Sequence, residues 1–533
     1  MIENRSMSLG ASSAEIASRE PRLVAVIDVG ATSIRMAIAQ IDSIGNVHVI
    51  EQLTQAVQLG EDTFSNGAIR RETIEDCVLV LETYRQKLLE YQLRGSEHVR
   101  VVATSAVREA ANSLAFQDRV YLATGLAIEP FDEAELHRAT YSGIQPYLDE
   151  FAGDQSTSLV YELGGGSTEV LALHERNVVF ARTFALGALR LCVSLLRYDP
   201  AIVSTREFLE SQIEQALKRI KAALGAIGPQ RLIALGGEIR RAAGEISKKP
   251  LGERLLKLPV AKLRRFTEEL LTLSSDRIVH RFHLDVPTAE LFGPALLVHC
   301  MLAEEFGVDH VWVANANLRD GLILEMAQQR TWTEKIQEQV FRWGLNLGRK
   351  YQFDEPHATC VANLALQLFD QLAPLHQLDV RFRPILNLAA LLHEIGLFIA
   401  SRSYHKHTMY LINNSDFFGV GVKDVGLIAL VARYHRRATP QPDHEGYALL
   451  DRNDRVAVTK LASMLRIARA LDTSRSQLIR RIDCELDGKR VGIRVDSPAD
   501  LSLEHIELSK DGAMFADTFG RSVHLTVNEP PSG

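Results

Sequence analysis

The first strong hydrophobic pattern begins at Leu23. LVAVIDVG is a short apolar run closed by Asp28 and Gly30, which predicts a buried strand entering a turn. MAIAQI and VHVI follow, separated by the turn-rich DSIGN, so a strand meander is expected. Residues 72–93 carry an amphipathic helical pattern. VRVVATS reads as a strand ending at Thr104 and Ser105, and REAANSLAF as a helix. From Ser158, SLVYELGGGSTEVLAL repeats the opening unit: apolar strand, acid, glycines, hydroxyls, apolar strand. NVVFARTFAL adds a strand. RLIALGGEIRRAA, from Arg231, is a third strand–Gly-Gly–helix unit, and HVWVANANLRDGLILEMA, from His310, a fourth strand with a closing helix. Strands alternating with helices predict an α/β class. The likeness of residues 24–38 to 159–173 predicts two similar halves with a ligand in the cleft between them.

After about residue 330 the strand signals stop. CVANLALQLFDQL, ILNLAALLHEIGLFIA, VGLIALVARYHRR and VTKLASMLRIARALD are helical patterns, and KRVGIRVDS and SVHLTV near the end alternate as strands do. The expected organisation is a loose polar tail (1–20), two α/β halves (21–145 and 146–328), an all-helical domain (329–478) and a small β-rich module (479–533).

Composition sharpens this picture in three ways. The 533 residues suit three or four domains, and 46% hydrophobic with 24% charged residues is ordinary for a globular protein. A net charge of −7 does not suit a nucleic-acid partner, so a polyanionic substrate would be held by local groups. The five scattered cysteines form no Cys-x-x-Cys, which points to a reducing, cytoplasmic location rather than a disulfide scaffold or structural zinc. The apolar runs are strand-sized, so no membrane span is expected.

The chemistry concentrates in two loops. Asp28-Val-Gly-Ala-Thr-Ser33 places an acid at a strand end, a glycine at Gly30 for close backbone approach, and donors at Thr32 and Ser33. Glu162-Leu-Gly-Gly-Gly-Ser-Thr168 repeats the logic, with Gly164, Gly165 and Gly166 removing side chains that would keep a phosphate away, and Ser167 and Thr168 behind them. Asp28 and Glu162 facing each other beside phosphates form a natural seat for Mg²⁺, which prefers oxygen ligands. A third loop, Leu235-Gly-Gly-Glu238, adds to the set. The chain lacks G-x-x-x-x-G-K-[ST], which excludes a P-loop. Arg35, on the strand after the first loop, either reaches phosphate or turns to solvent.

These loops resemble the phosphate-binding signatures of the actin/Hsp70/sugar-kinase superfamily. The fuller set resembles one branch of it, the exopolyphosphatase/guanosine pentaphosphatase (Ppx/GppA) family: VIDVGATSIRMAI, VVATSAVREAANS with Thr104, Ser105, Arg108 and Asn112, YELGGGSTEV, ALGALRL and NLRDGLI. The resemblance runs from about residue 22 to 530. It implies duplicated actin-like (RNase H-like) domains, an HD-like helical domain over residues 350–475, and attack of water on a terminal phosphate of inorganic polyphosphate or guanosine pentaphosphate. It also implies a homodimer paired through the helical domains. The TSAVREAAN signature and the helical half set the chain apart from a sugar or acid kinase.

By the same resemblance Glu133, in FDEAEL, matches the catalytic glutamate that positions or deprotonates water, with Asp132 the close alternative; both equally suit an acidic helix start. Arg108 is expected to contact phosphate, since a guanidinium fork matches its oxygens. Three positions depart from the family pattern. Thr32 stands where an amide is common, Glu162 where Asp is usual, and Glu135 where Arg is usual. They motivate an alternative reading as a non-catalytic polyphosphate or nucleotide sensor. In the helical domain His357, His393-Glu394 and Asp472 sit where HD-type metal ligands would sit, but the central pair is His-Glu, and His393 shares a face with Leu386, Ala389 and Ala390, as a packed histidine would. His405-Lys406-His407 and Arg433-Tyr-His-Arg-Arg437 suggest a basic rim for a long polyanion.

Overall fold

The computed structural model describes residues 6–7, 20–195, 204–249, 251–252, 254–328, 332–496 and 500–527. The expected polar tail lies, apart from Ser6, Met7 and Glu20, outside them. The chain divides into two units, Met1–Thr331 and Trp332–Gly533.

The first unit contains two six-stranded sheets. Strands β1 (Ser6–Met7), β2 (Arg22–Val29), β3 (Ser33–Ile41), β4 (Val47–Ala56), β5 (Val99–Ala103) and β6 (Ile128–Pro130) form one, in the order β1-β4-β3-β2-β5-β6. Strands β7 (Thr157–Leu163), β8 (Thr168–His174), β9 (Asn177–Phe184), β10 (Arg231–Leu235), β11 (Leu256–Pro259) and β12 (His310–Val313) form the other, in the order β11-β12-β10-β7-β8-β9. Each is an antiparallel meander, β2-β3-β4 or β7-β8-β9, whose first strand also pairs in parallel with the strand that follows the meander, β5 or β10. The copies agree in detail. The register slips between Ile38 and Ala39 in one and between Ala172 and Leu173 in the other, ten residues after Asp28 and Glu162 respectively. A bulge bends the strand that carries it, so both meanders curl at the same place.

β2 is buried on both faces, as its unbroken apolar run requires. Ala25, Ile27 and Val29 pack into one core and Val24 and Val26 into the other. The second core is completed by Leu318, Leu322 and Ile323 from the helix Leu318–Ala327. That helix follows β12 in the second sheet but returns to cover the first. It crosses the helix Glu133–Ile144 at very close range: a Cβ added to Gly321 would lie 2.0 Å from the Ala139 carbonyl oxygen, and one added to Gly143 would lie 3.1 Å from that of Asn317.

Among the described residues one helix, Val286–Glu305, is long and apolar enough to cross a membrane by length and composition, which the strand-sized reading of the apolar runs did not foresee. Its side chains Phe292, Leu296, Leu297 and Cys300 are fully buried in the core of the second sheet, where an all-round apolar helix belongs.

The second unit begins with helices, among them Glu334–Lys350, Glu355–Gln371, Phe382–Leu392, Tyr404–Asn413, Val422–Arg433 and Arg452–Ala470. It ends in a three-stranded sheet of β13 (Asp483–Asp487), β14 (Arg490–Val495) and β15 (Ser522–Val527). β14 and β15 are parallel. Parallel neighbours need a crossover, and the helix Ser502–Phe519 supplies it.

Candidate functional site

The two repeated hairpins meet in a cleft of the first unit. Each turns through the same contact: Gly30 N–H donates to the Ser33 carbonyl at 3.0 Å, and Gly164 N–H to that of Ser167 at 2.9 Å. The cleft is lined by Asp28, Gly30, Thr32, Ser33, Arg35, Glu162, Gly164, Gly165, Gly166 and Ser167, all expected from the sequence. Arg35 therefore faces the cleft.

The register explains why Arg35 belongs here. Asp28 pairs directly with Arg35 across the first hairpin, and Glu162 pairs with Glu169 across the second. The first loop thus offsets its acid with an arginine, whereas the second sets acid against acid. Asp28 has a further partner, Arg319, whose Nη1 lies 3.4 Å from its Oδ2. Arg319 rides on the helix Leu318–Ala327, which Asn317 caps by accepting from the N–H of Arg319 at 2.9 Å and of Asp320 at 3.3 Å.

Carboxylate is in excess here. Burial pushes Glu169 up to about 8, with Glu162 and Glu133 adding to the rise against Ser167 and Arg108. Burial also pushes Glu162 up to about 7, with Asp28 opposing the lowering effect of Arg240, Arg35 and Arg319. Asp28 Oδ1 and Glu169 Oε2 are buried and accept no hydrogen bond. Unpaired carboxyl oxygens lining one cavity supply, once ionised, the donor set of a hard divalent cation, so these residues fit Mg²⁺. An acid whose pKa is raised on folding stabilises the fold below its unfolded value near 4.3, and that contribution is lost as pH rises through the folded value. With chelator present, the melting temperature should therefore fall by about 2–4 °C between pH 5 and pH 8.5, and saturating Mg²⁺ should flatten the fall. A flat profile in chelator would show that the two acids are not protonated as described.

The second loop is braced from behind. Ala188 N–H donates to the Gly164 carbonyl, Arg190 N–H to that of Gly165, both at 3.0 Å, and Arg190 Nε to that of Gly166 at 2.7 Å. Thr168, expected to bind phosphate, belongs to this brace instead. It is wholly buried and donates its hydroxyl to the Leu186 carbonyl. Gly166 is required for a reason other than phosphate access, because a Cβ there would lie 2.4 Å from Phe64 and 2.5 Å from Ser105 Oγ.

The other expected residues stand outside the lining. Arg108 donates to the Phe131 carbonyl at 2.8 Å, and Glu133 is exposed at the first turn of its helix. Both lie close enough to Glu169 for their charges to act on its carboxyl. Asp132 is the N-cap of that helix and accepts from Glu135 N–H at 2.9 Å, while Glu135 accepts from Asp132 N–H at 3.1 Å. This reciprocal capping box accounts for the glutamate at position 135: its carboxylate closes the helix start rather than lining the cleft. Asp132→Ala should lower stability by about 1 kcal/mol and Asp132→Asn much less, by chemical denaturation; equal losses would contradict the capping role.

Sequence reasoning did not assign site roles to Glu169, Arg319, Asn317, Glu238 or Arg240. Their signals were present in NLRDGLI, in the Gly236-Gly237-Glu238 loop and in the residue after Thr168. Glu238, Arg240 and Asn317 line the cleft.

In the second unit the structure gathers His357, His393, Glu394 and Asp472. The expected basic rim is partly consumed within the fold. His435 is fully buried against Tyr404, and Arg433 donates to the Glu445 carbonyl at 3.3 Å.

Two sheets of repeated topology thus meet in an acid-rich cleft lined by glycine turns. Residues 37–330 match the Ppx/GppA phosphatase family, and residues 344–511 match Ppx/GppA phosphatase, domain III. The chain belongs to the Ppx/GppA phosphatase family. It is 24% identical over 454 residues to a guanosine-5'-triphosphate,3'-diphosphate pyrophosphatase of Photobacterium profundum, covering 84% of this chain and 86% of that one. It is 25% identical over 467 residues to the protein of the same name from Aeromonas hydrophila, covering 85% and 88%. Among solved structures it is similar to an exopolyphosphatase from Cytophaga hutchinsonii, with a TM-score of 0.50 and 20% identity over 58% of this chain and 99% of that one. The fold is thus the actin-like fold of this family, followed by a helical C-terminal part.

Proposed function

We propose that the protein is an exopolyphosphatase that removes the terminal phosphate of inorganic polyphosphate and releases orthophosphate. The observation that carries this reading is the cleft lining. It brings together glycine backbone, hydroxyls and carboxylates of both hairpins with the guanidinium groups of Arg35 and Arg240, a surface suited to successive phosphates and their counter-cation. The hairpin turns hold the phosphate chain, and Arg35 and Arg319 balance charge beside Asp28. Glu133 orients a water and takes its proton as the water oxygen bonds to the terminal phosphorus. The bridging P–O bond breaks, and its oxygen leaves as the end of the shortened chain. Asp28 and Glu162, with Glu169 beside them, would hold Mg²⁺, which neutralises phosphate charge. Arg108, whose charge acts on the Glu169 carboxyl, would offset charge on the transferring group. The fold is read further as an HD-like helical domain with a small terminal sheet, and a homodimer working in the cytoplasm.

A second reading, hydrolysis of the 5′-γ-phosphate of guanosine pentaphosphate, is favoured by the names of the two curated relatives. Orthophosphate release from long-chain polyphosphate and from guanosine pentaphosphate, each with and without Mg²⁺, separates the two. Faster Mg²⁺-dependent release from polyphosphate is the expected result. Release from the nucleotide alone would transfer the assignment to the second reading, and release from neither would leave a binding protein.

A further inference from the structure

Among the described residues, one group of His, Cys, Asp or Glu side chains has ligand atoms that all lie within 4.8 Å of one another: His357, His393 and Glu394, all buried. The group lies in the second unit, apart from the chemistry assigned to the cleft. Its hydrogen bonds point one way. His357 Nδ1 is held by Asp472 Oδ2 at 2.8 Å, and His393 Nδ1 by the Ala390 carbonyl at 2.6 Å. An oxygen acceptor at Nδ1 keeps the proton there and leaves the Nε2 lone pair free to bind a cation, as orienting partners of ligating histidines do. Both Nε2 atoms turn toward one carboxylate. His357 Nε2 is 3.9 Å from Glu394 Oε2, and His393 Nε2 is 4.0 Å from Oε1.

The second observation is that His393 Nε2 has no partner although His393 is 0% exposed. A packed histidine ordinarily satisfies both ring nitrogens. The neighbouring His435 shows this: its Nδ1 faces the Ala432 carbonyl and its Nε2 meets the Tyr404 hydroxyl at 3.1 Å. Arg475 also meets this carboxylate, donating to Glu394 Oε2 at 2.6 Å and to Asp354 at 2.9 Å. It supplies a counter-charge to Glu394 but leaves the histidine nitrogen unpaired. Asp472 also accepts from Gln477 N–H at 2.8 Å, so it orients His357 rather than joining the donor set.

We propose that His357, His393 and Glu394 form a mononuclear site for a borderline divalent transition-metal ion of the zinc type. Two neutral imidazoles and one carboxylate suit such an ion far better than Mg²⁺ and leave a coordination position open. Bonds of about 2.0–2.2 Å in tetrahedral geometry put ligand atoms about 3.4 Å apart, so the present spacing closes onto an ion through side-chain shifts of under an ångström each. The glutamate after His393, one methylene longer than the aspartate of the HD pair, supplies the third ligand.

The test uses the full chain, stripped with chelator and reloaded with Zn²⁺ or Co²⁺ in millimolar Mg²⁺, which competes for carboxylates but poorly for imidazole. The expected result is one Zn²⁺ per chain by elemental analysis and, for Co²⁺, visible absorption of four- or five-coordinate intensity. Glu394→Gln and His357→Gln should each weaken Zn²⁺ binding at least about tenfold, and Asp472→Asn, which disturbs only the orientation of His357, about 10–100-fold. Circular dichroism identifies any variant that fails to fold. No stoichiometric Zn²⁺ in the wild-type chain, an octahedral aquo-like Co²⁺ spectrum, or unchanged affinity in the folded variants would overturn the site. None of these readouts depends on the cleft hydrolysing anything.

Discussion

Glu133→Gln is expected to bind polyphosphate with near-native affinity and to release orthophosphate about 10²–10⁴-fold more slowly. The side chain is exposed at a helix start whose cap belongs to its neighbour Asp132. The amide therefore removes a base without opening a cavity or breaking a buried bond, and the melting temperature should not move. Single-turnover release, read beside an equilibrium binding measurement, separates the two effects. Retention of full rate would place the base elsewhere, and Glu169, with its raised pKa and unpaired oxygen, would be the group to test next.

The second large effect is expected at Gly187, which does not line the cleft. A Cβ there would lie 2.3 Å from the Gly165 carbonyl oxygen and 2.5 Å from the carbonyl carbons of Gly165 and Gly166. All three are backbone atoms of the second glycine turn, so no flexible side chain can yield. Gly187→Ala should push the turn by close to an ångström, a displacement that costs about 10²-fold in rate when it misplaces reacting groups. Overpacking should also cost about 1–3 kcal/mol of stability. Gly228→Ala, where an added Cβ meets nothing within 4 Å, is the control and should behave as wild type. If Gly187→Ala matches it in kcat/KM, the brace does not set the turn.

The duplicated build was legible because the acid, the glycines and the following strand recur in order, and each of these is a local requirement of a tight turn. What the loops face was not legible. Strand alternation left Arg35 open between cleft and solvent, and only the pairing of Asp28 with Arg35 resolves it. Thr168 has the composition of a phosphate ligand, yet one residue past Ser167 the pleat turns it inward to Leu186. Glu135 stood out only as a departure from the family pattern, because a capping box is recognised by its partner rather than by the acid alone. The helix Ser502–Phe519 escaped notice for a related reason. Its buried positions include Glu504, which accepts from Ser474 N–H at 3.1 Å, so the stripe that should read as apolar contains a charge. In the second unit the apolar face of His393 correctly indicated burial. Its orphaned nitrogen became visible only once His357 and Glu394 had been brought beside it.

The crossing of Glu133–Ile144 over Leu318–Ala327 ties these parts together mechanically. The two helices touch backbone to backbone at Gly321 and Ala139, with no side chain between them to act as a cushion. One carries Glu133 at its first turn and the other carries the arginine that meets Asp28. On the mechanism proposed above the two are geared: a roll of one helix against the other would draw both groups from their stations in one stroke. Opening of the cleft and disarming of the proposed base would then be one motion, and a residue that jams the crossing should slow both by the same factor.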